Sequence, residues 1–483
     1  MYLGLDLGTS GIKAMLVDED FLTVGVAHAA LTVSRPHPGW SEQAPADWIT
    51  GAEQVIGELA REHPQAMARL RGIGLSGHMH GATLLDASDQ VLRPCILWND
   101  GRSGPQCAEL TARADFHGIA GNLVMAGFTA PKLLWVAENE PDIFARTAMV
   151  LLPKDYLRLW LTGEHVAEMS DAAGTLWLDV GRRDWSDKLL AATGLTRAQM
   201  PALVEGSDVS GTLRADLAQR WGIPRVPVAG GGGDNAATAC GMGVMTPGTG
   251  FLSLGTSGVL FAATESYAPN TGDAVHTFCH AIPATWHQMG VILSASDSMS
   301  WLSEITGRAV PDLAALVPDD VGAPSPVGFL PYLSGERTPL NDPDATGAFW
   351  GLRRATGVAD LTQAVMEGVA FAFADCVQAL RKAGTPIEAA YAVGGGARSR
   401  AWLRIIASAT GLTLLEPEDG DFGAAFGAAK LAAAAVTGDT SARIFAQPAV
   451  RAEIAPDPAL AAAYAQKYHA YRTAWPHLRD LPA

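Results

Sequence analysis

Leu3-Gly4-Leu5-Asp6-Leu7-Gly8-Thr9-Ser10-Gly11 opens the chain as an apolar strand running into a Gly-Thr-Ser-Gly turn, and Leu252-Ser253-Leu254-Gly255-Thr256-Ser257-Gly258 repeats the device near the middle. Glycines let such a turn be tight and let a ligand approach the backbone closely. Its amides and hydroxyls can converge on an oxyanion. A single copy is also how an ordinary hairpin is built, but two copies half a chain apart point to two related halves facing one ligand. The copies are not equivalent. Asp6 stands two residues before the first glycine, whereas Ser253 holds the matching place in the second.

With 483 residues the chain is too long for one core, and its composition, 48% hydrophobic and 17% charged, is that of a globular protein. Fifty acidic against 34 basic residues give a net charge of -16, which argues against nucleic acid or an anionic membrane as the main partner. The start of the chain lacks a signal-peptide pattern, and the small-apolar stretch 424–436 is broken by Lys430 and too short for a membrane span. Five scattered cysteines, none in CxxC spacing, suit a reducing compartment. The expectation is a cytoplasmic protein, with a homodimer left open.

Strand and helix signals alternate over the first 86 residues, with helical spacing at 46–61 and a short strand at 71–76, as in an α/β class with a mixed sheet. Helical patterns dominate 98–220, where Pro131 and Pro153 open helices. A strand at 226–229 runs into Gly230-Gly231-Gly232-Gly233-Asp234-Asn235. The spacing predicts a long amphipathic helix over 361–383, a strand at 390–393, and a helix from Arg400 that closes at Gly411. A domain boundary is expected near 245–250.

No GxxxxGK[ST] occurs, and Gly72-Ile73-Gly74-Leu75-Ser76-Gly77 overlaps a strand instead of following one, so neither a P-loop nor a dinucleotide fingerprint is supported. Four glycine-rich strand ends remain. At the first, Asp6 either holds Mg²⁺ or caps a plain hairpin, and Gly8, Thr9, Ser10 and Lys13 would face phosphate. At the second, Asp234 is either a general base or the cap of a helix starting at Asn235. At the third, Gly255 and Thr256 would touch a phosphate tail. At the fourth, Gly394-Gly395-Gly396-Ala397-Arg398-Ser399 either lets a nucleoside lie on the backbone or makes a tight connection. Met79 and His80 follow the 71–76 strand and could meet a hydroxyl-bearing ligand. Trp98, Asp100 and Arg102 are candidates for lining the same cleft, although with 13 tryptophans in the chain Trp98 reads first as core packing. Arg337 is either a loop clamp or half of an ion pair.

With these positions in view, the chain resembles the FGGY carbohydrate kinases, which share their fold with actin and the large chaperones. The likeness runs from residue 1 to about 436. It is carried by 6–13, 31–43, Met79-His80-Gly81, Ile96-Leu97-Trp98-Asn99-Asp100-Gly101-Arg102, Gly233-Asp234-Asn235, 253–258, 330–339 and 394–399. It implies two ribonuclease-H-like (actin-like ATPase) domains with mixed five-stranded sheets flanked by helices, and an active site in the cleft between them. The first domain, 1–245, would bind sugar and carry the catalytic Asp; the second, 246–483, would bind nucleotide.

The resemblance further implies ATP and Mg²⁺, with Asp234 as proton acceptor and Asp6 serving metal and nucleotide. Met79, His80, Asp234 and Asn235 would hold the sugar, while Gly8, Thr9, Ser10, Lys13, Gly255, Thr256, Gly395, Gly396 and Ala397 would hold the nucleotide. The Met-His-Gly and Trp-Asn-Asp-Gly-Arg stretches narrow the expected reaction to phosphorylation of the terminal hydroxyl of D-xylulose. Another ketose or polyol, or a nucleotide-gated switch with no acceptor, are the alternatives. His78 departs from the family pattern, where Gln is expected.

Overall fold

A computed structural model describes residues 1–418 and 420–479. Two mixed sheets organise it, one in each half, and they follow the same plan. In the first half Tyr2–Leu7 turns back on Gly11–Val17, which pairs with Thr23–Ala30; on its other side Tyr2–Leu7 runs parallel to Gly72–Gly77, and beyond that lies Pro227–Ala229. In the second half Gly248–Leu254, Gly258–Thr264, Trp286–Ile292, Ile387–Val393 and Thr413–Pro417 take the corresponding places.

Each sheet has seven strands, where the resemblance implied five. The five expected lanes are present in both, and the additions lie at their margins. In the first sheet Val209–Thr212 pairs as an edge, and Gly232–Gly233 resumes the lane of Pro227–Ala229 after the chain swings out at Gly230-Gly231. In the second, His276–Cys279 and Val450–Ile454 cover the two edges, as exposed strand edges favour.

Local sequence accounts for the elements. The helix Pro45–Glu62 begins with proline in its first turn and buries Trp48, Val55, Ile56 and Leu59, an apolar stripe laid on the first sheet. Val358–Lys382 does the same for the second sheet with Val365, Val369, Val377 and Leu380. Arg400–Thr410 stops at Gly411, whose φ of 74° lets the chain leave the helix.

One element crosses between the halves. Ala424–Thr437 lies in sequence between two strands of the second sheet, Thr413–Pro417 and Val450–Ile454, but packs on the first, against Tyr2–Leu7 and Gly72–Gly77. The contact is backbone-close. A Cβ at Gly4 would lie 1.8 Å from the carbonyl oxygen of Ala425, and one at Gly74 1.8 Å from that of Ala428. The glycines in 72–77 therefore serve helix docking, which explains why the GxGxxG spelling there carries no ligand. Among the described residues no helix is long and apolar enough to cross a membrane, and all five cysteines are free thiols.

Candidate active site

The register of the first sheet assembles the floor of the cleft. Asp6 pairs across the sheet with Lys13 on one side and Ser76 on the other, and Ser76 pairs in turn with Gly232. Asp234 follows two residues later, so the two carboxylates lie at the same end of parallel strands, where α/β sheets place their ligands. Burial and the charge of Asp234 push the Asp6 carboxyl up to about 6, against the nearby Ser76 hydroxyl and the charge of Lys13. Burial likewise raises Asp234, against the Asn235 hydrogen bonds.

Neither carboxylate does the structural job open to it. The first turn is closed by Gly8 N–H donating to Gly11 O at 2.9 Å, without Asp6, and Asp6 Oδ1 is buried with no hydrogen-bond partner among the described residues. The helix Asp234–Gly241 has Gly233 at its N-cap; Asp234 Oδ1 accepts only from its neighbour, Asn235 N at 2.7 Å and Asn235 Nδ2 at 2.9 Å. That leaves Oδ2 free of protein donors. Behind this pair, Ser170 Oγ accepts from Gly233 N at 3.0 Å, and Glu168 holds Ser170 within a fully buried cluster with Lys154, Asp155 and Asp171.

Met79 and His80 form the next wall. Met79 is wedged so that a Cβ at Gly233 would come within 3.0 Å of its Sδ. His80 has a φ of 71° and its Nδ1 lies 2.7 Å from Gly174 O. A carbonyl can only accept, so Nδ1 carries the proton and Nε2 is the acceptor. Burial pushes this imidazole down to about 3, which keeps it neutral.

Gly255, Thr256, Gly395 and Gly396 line a cavity of about 1060 Å³ in the second half, closed by Met299, Val310 and Trp402. Gly394, at φ 94°, passes so near the end of Gly248–Leu254 that a Cβ there would meet Leu254 O at 2.8 Å, whereas a Cβ at Gly395 would meet nothing within 4 Å. Ala397 lines a second cavity of about 380 Å³, which shares Arg398 with the first and reaches Thr238 on the helix begun by Asp234. The two cavities thus lead from the second half's glycine loop toward the carboxylates. Thr9 and Ser10 sit at the first turn, where Gln43 Nε2 donates to Thr9 O at 2.7 Å. Lys13 reaches across to pair with Asp421 of the second half.

Three expectations change. Trp98 is 47% exposed, not core, and its Nε1 donates to Thr9 Oγ1 at 2.9 Å, so it roofs the first turn. Asp100 and Arg102 do not line the cleft. They form a buried pair (Nη2 to Oδ2 2.7 Å) joined to Glu42 and stacked under Trp40 at 3.6 Å. Among the described residues Arg337 forms no ion pair of its own. It lies nearly buried with Nη1 against Met125 Sδ of the first half. His78 turns its ring edge-on to Trp48, 5.9 Å away, and burial holds it neutral.

Ser76, Ser170 and Asp421 escape sequence reasoning. Ser76 carries a signal, the lane shared with Asp6, but only once the pairing register is known. Ser170 and Asp421 are brought in by tertiary packing alone.

The donor set suits a divalent cation of the magnesium type. Among the described residues no three His, Cys, Asp or Glu side chains cluster as a complete cage. Asp6, with its orphan buried oxygen, offers the carboxylate that Mg²⁺ takes when phosphate and water complete its shell.

Residues 1–241 match the N-terminal domain, and 250–436 the C-terminal domain, of the FGGY family of carbohydrate kinases. The chain is similar to the xylulose kinase of Escherichia coli K12, 47% identical over the full length of both, and to that of Klebsiella pneumoniae, 51% identical over 90% of each chain. Among solved structures, a "xyloylose kinase" from Brucella ovis superposes with a TM-score of 0.98 at 57% identity over the whole of both chains.

Proposed function

The chain belongs to the FGGY family of carbohydrate kinases, and on that premise we propose that it transfers the γ-phosphoryl group of ATP to the terminal hydroxyl of D-xylulose, giving D-xylulose 5-phosphate and ADP. The observation that carries the reading is the pair Asp6 and Asp234. Both sit at strand ends in one cleft, and neither is occupied by a turn or a cap.

In the reaction the hydroxyl oxygen of the sugar attacks the γ-phosphorus in line, the bond to the β-γ bridging oxygen breaks, and the hydroxyl proton passes to Asp234. Its pKa need not match that of an alcohol, because proton transfer can follow a loose transition state. The charge on the transferring group is met by Lys13 and by the amides at Thr9, Ser10, Gly255 and Thr256, with Gly8 shaping the turn that presents them, so positioning and electrostatics are the main catalytic terms. Asp6 would hold Mg²⁺, which when bound neutralises phosphate charge. Met79, the Nε2 acceptor of His80, and Asn235 orient the ketose. Gly395 and Gly396 in the larger cavity and Ala397 in the smaller one carry the nucleoside.

We further propose a sugar-binding domain over 1–245 and a nucleotide-binding domain over 246–483, hinged near 245–250, in a cytoplasmic enzyme. The close approach of the chains at Gly4 and Gly74 to the helix Ala424–Thr437 supports that helix moving with the first domain during closure. Sedimentation velocity would read whether a homodimer forms.

ADP release measured over D-xylulose, D-ribulose, 1-deoxy-D-xylulose and glycerol tests the substrate. The highest kcat/KM is expected for D-xylulose; a higher value for any other sugar would replace it.

A further inference from the structure

We infer that Lys132 is a positioning residue of the sugar pocket, holding His80 in the backbone conformation that aims its imidazole at the sugar. The inference rests on the reading that His80 contacts the ketose.

Lys132 is an expensive residue where it stands. It is fully buried, it makes no ion pair among the described residues, and it lies near the start of the helix Thr129–Asn139, where the macrodipole disfavours a cation. Burial brings its amine down to about 7. What it does make is two hydrogen bonds to backbone carbonyls. Its Nζ donates to His80 O and to Gly127 O, each at 2.8 Å, and Thr129 Oγ1 from the same helix turn donates to His80 O at 3.1 Å.

His80 needs such an anchor. A branched or bulky L-residue at φ 71° is strained and persists only where its surroundings over-determine it. Its ring is fixed at one end by Gly174 O, 2.7 Å from Nδ1, and lies 4.5 Å from the ring of Phe128. Its carbonyl is fixed at the other end by Lys132 and Thr129. Released from these donors, residue 80 relaxes to negative φ and Nδ1–H swings off Gly174. The bond to Gly127 ties the same amine to the loop behind Trp98, since a Cβ at Gly127 would lie 2.5 Å from Trp98 O. One buried amine thereby sets the distance between two walls of the pocket without touching the substrate itself.

A double-mutant cycle read by calorimetric titration of D-xylulose and of ADP tests the role. Lys132→Met and His80→Ala should each weaken D-xylulose binding by about tenfold or more, the order expected when hydrogen bonds to a buried, oriented group are lost. The double variant should be weaker than His80→Ala by less than about twofold, because the lysine acts through the histidine. ADP affinity should stay at the wild-type value throughout. Thr129→Val, a near-isosteric change, should lose a few-fold and covers the case in which Lys132→Met does not fold. The Nδ1–H resonance of His80 should disappear from the NMR spectrum of the lysine variant. Multiplying losses in the double variant, or wild-type sugar affinity in Lys132→Met beside a weakened His80→Ala, would overturn the role of Lys132. Wild-type sugar affinity in His80→Ala would overturn the sugar-binding reading beneath it.

Discussion

The carboxylates of Asp6 and Asp234 are neighbours in charge though 228 positions apart in sequence, and the negative charge of Asp234 helps drive Asp6 up to about 6. Their closeness follows from register, since Asp6, Ser76 and Gly232 share one row of the sheet. In the free protein this is a repulsive pair held in a partly desolvated cleft. Such an arrangement costs stability and persists where a ligand of opposite charge is to be bound.

Asp234→Asn should reduce kcat by roughly 10²–10⁴-fold, the range for loss of a general base. ADP affinity should remain near that of the parent, as the proposed role of Asp234 toward the sugar hydroxyl requires. Steady-state kinetics with calorimetry checks both. Turnover within a few-fold of the parent would remove Asp234 from the proton transfer.

Asp6→Asn should stabilise the ligand-free protein while abolishing activity. The sign follows from the raised pKa. Below about pH 4 Asp6 is protonated in native and unfolded states alike and costs nothing. Between about 4 and 6 the unfolded chain releases a proton that the native state keeps, so stability falls across that window, and above 6 the full cost is present. One edge of the carboxylate opens on the cleft, so the gain at pH 7.5 should be on the order of 2 kcal/mol, shrinking toward zero by pH 3.5. Denaturant unfolding at both pH values reads it, and an equal effect at both would refute the cause.

Much of the architecture is legible in the chain because it is written locally. Alternating apolar strands, the prolines that open 45–62 and 153–162, and Gly411 after 400–410 each mark an element by short-range chemistry. The strand ends that carry Asp6 and Asp234 announce themselves through glycine runs for the same reason. What stays hidden depends on pairing over long separations. The margins that raise each sheet to seven strands come from short segments with no periodicity of their own. Trp98 has a core-type side chain, yet it is left on the surface by the position of Thr9. Asp100 and Arg102 carry a chemistry that suits a cleft as well as a buried ion pair, and only the placement of Glu42 and Trp40 decides between them.

Gly395→Ala should separate nucleotide binding from folding. A Cβ there meets no protein atom within 4 Å and projects into the cavity that Gly255, Thr256 and Gly396 also line. The melting temperature should therefore stay within the range of neutral surface changes, about 0.5 kcal/mol. KM for ATP should rise by roughly tenfold, as expected when a methyl group displaces a tightly apposed ligand surface. Unchanged KM would place the nucleoside elsewhere.

Gly74→Ala should be far more damaging than its distance from the chemistry suggests. Its Cβ would fall 1.8 Å from Ala428 O and 2.7 Å from Ala428 C, both backbone atoms of a helix that cannot yield by rotating a side chain. The helix Ala424–Thr437 must then lift from the first sheet, opening the apolar contact that includes Ala429, Ala432 and Ala433. A loss of about 3 kcal/mol or more is expected, at the severe end for overpacking. Thermal unfolding measures it, and a variant as stable as the parent would show that this helix does not seat on the sheet.

The ion pair of Lys13 with Asp421 gives the last prediction, since the two belong to different halves. Lys13 must leave Asp421 to reach a phosphate, so the pair competes with nucleotide. With Asp421 about half exposed the contact is worth at most about 1 kcal/mol and is weakened by salt. Asp421→Ala should therefore leave the melting temperature nearly unchanged and lower KM for ATP or leave it equal. Lys13→Met should raise KM for ATP roughly tenfold or more, since it removes a charge-assisted contact to phosphate. Titrating ADP into both variants at 50 and 500 mM salt, both concentrations about as far apart as screening lengths of 14 and 4 Å, separates competition from scaffolding. A rise in KM for Asp421→Ala as large as that for Lys13→Met would mean that the pair builds the phosphate site together and that Asp421 is no competitor.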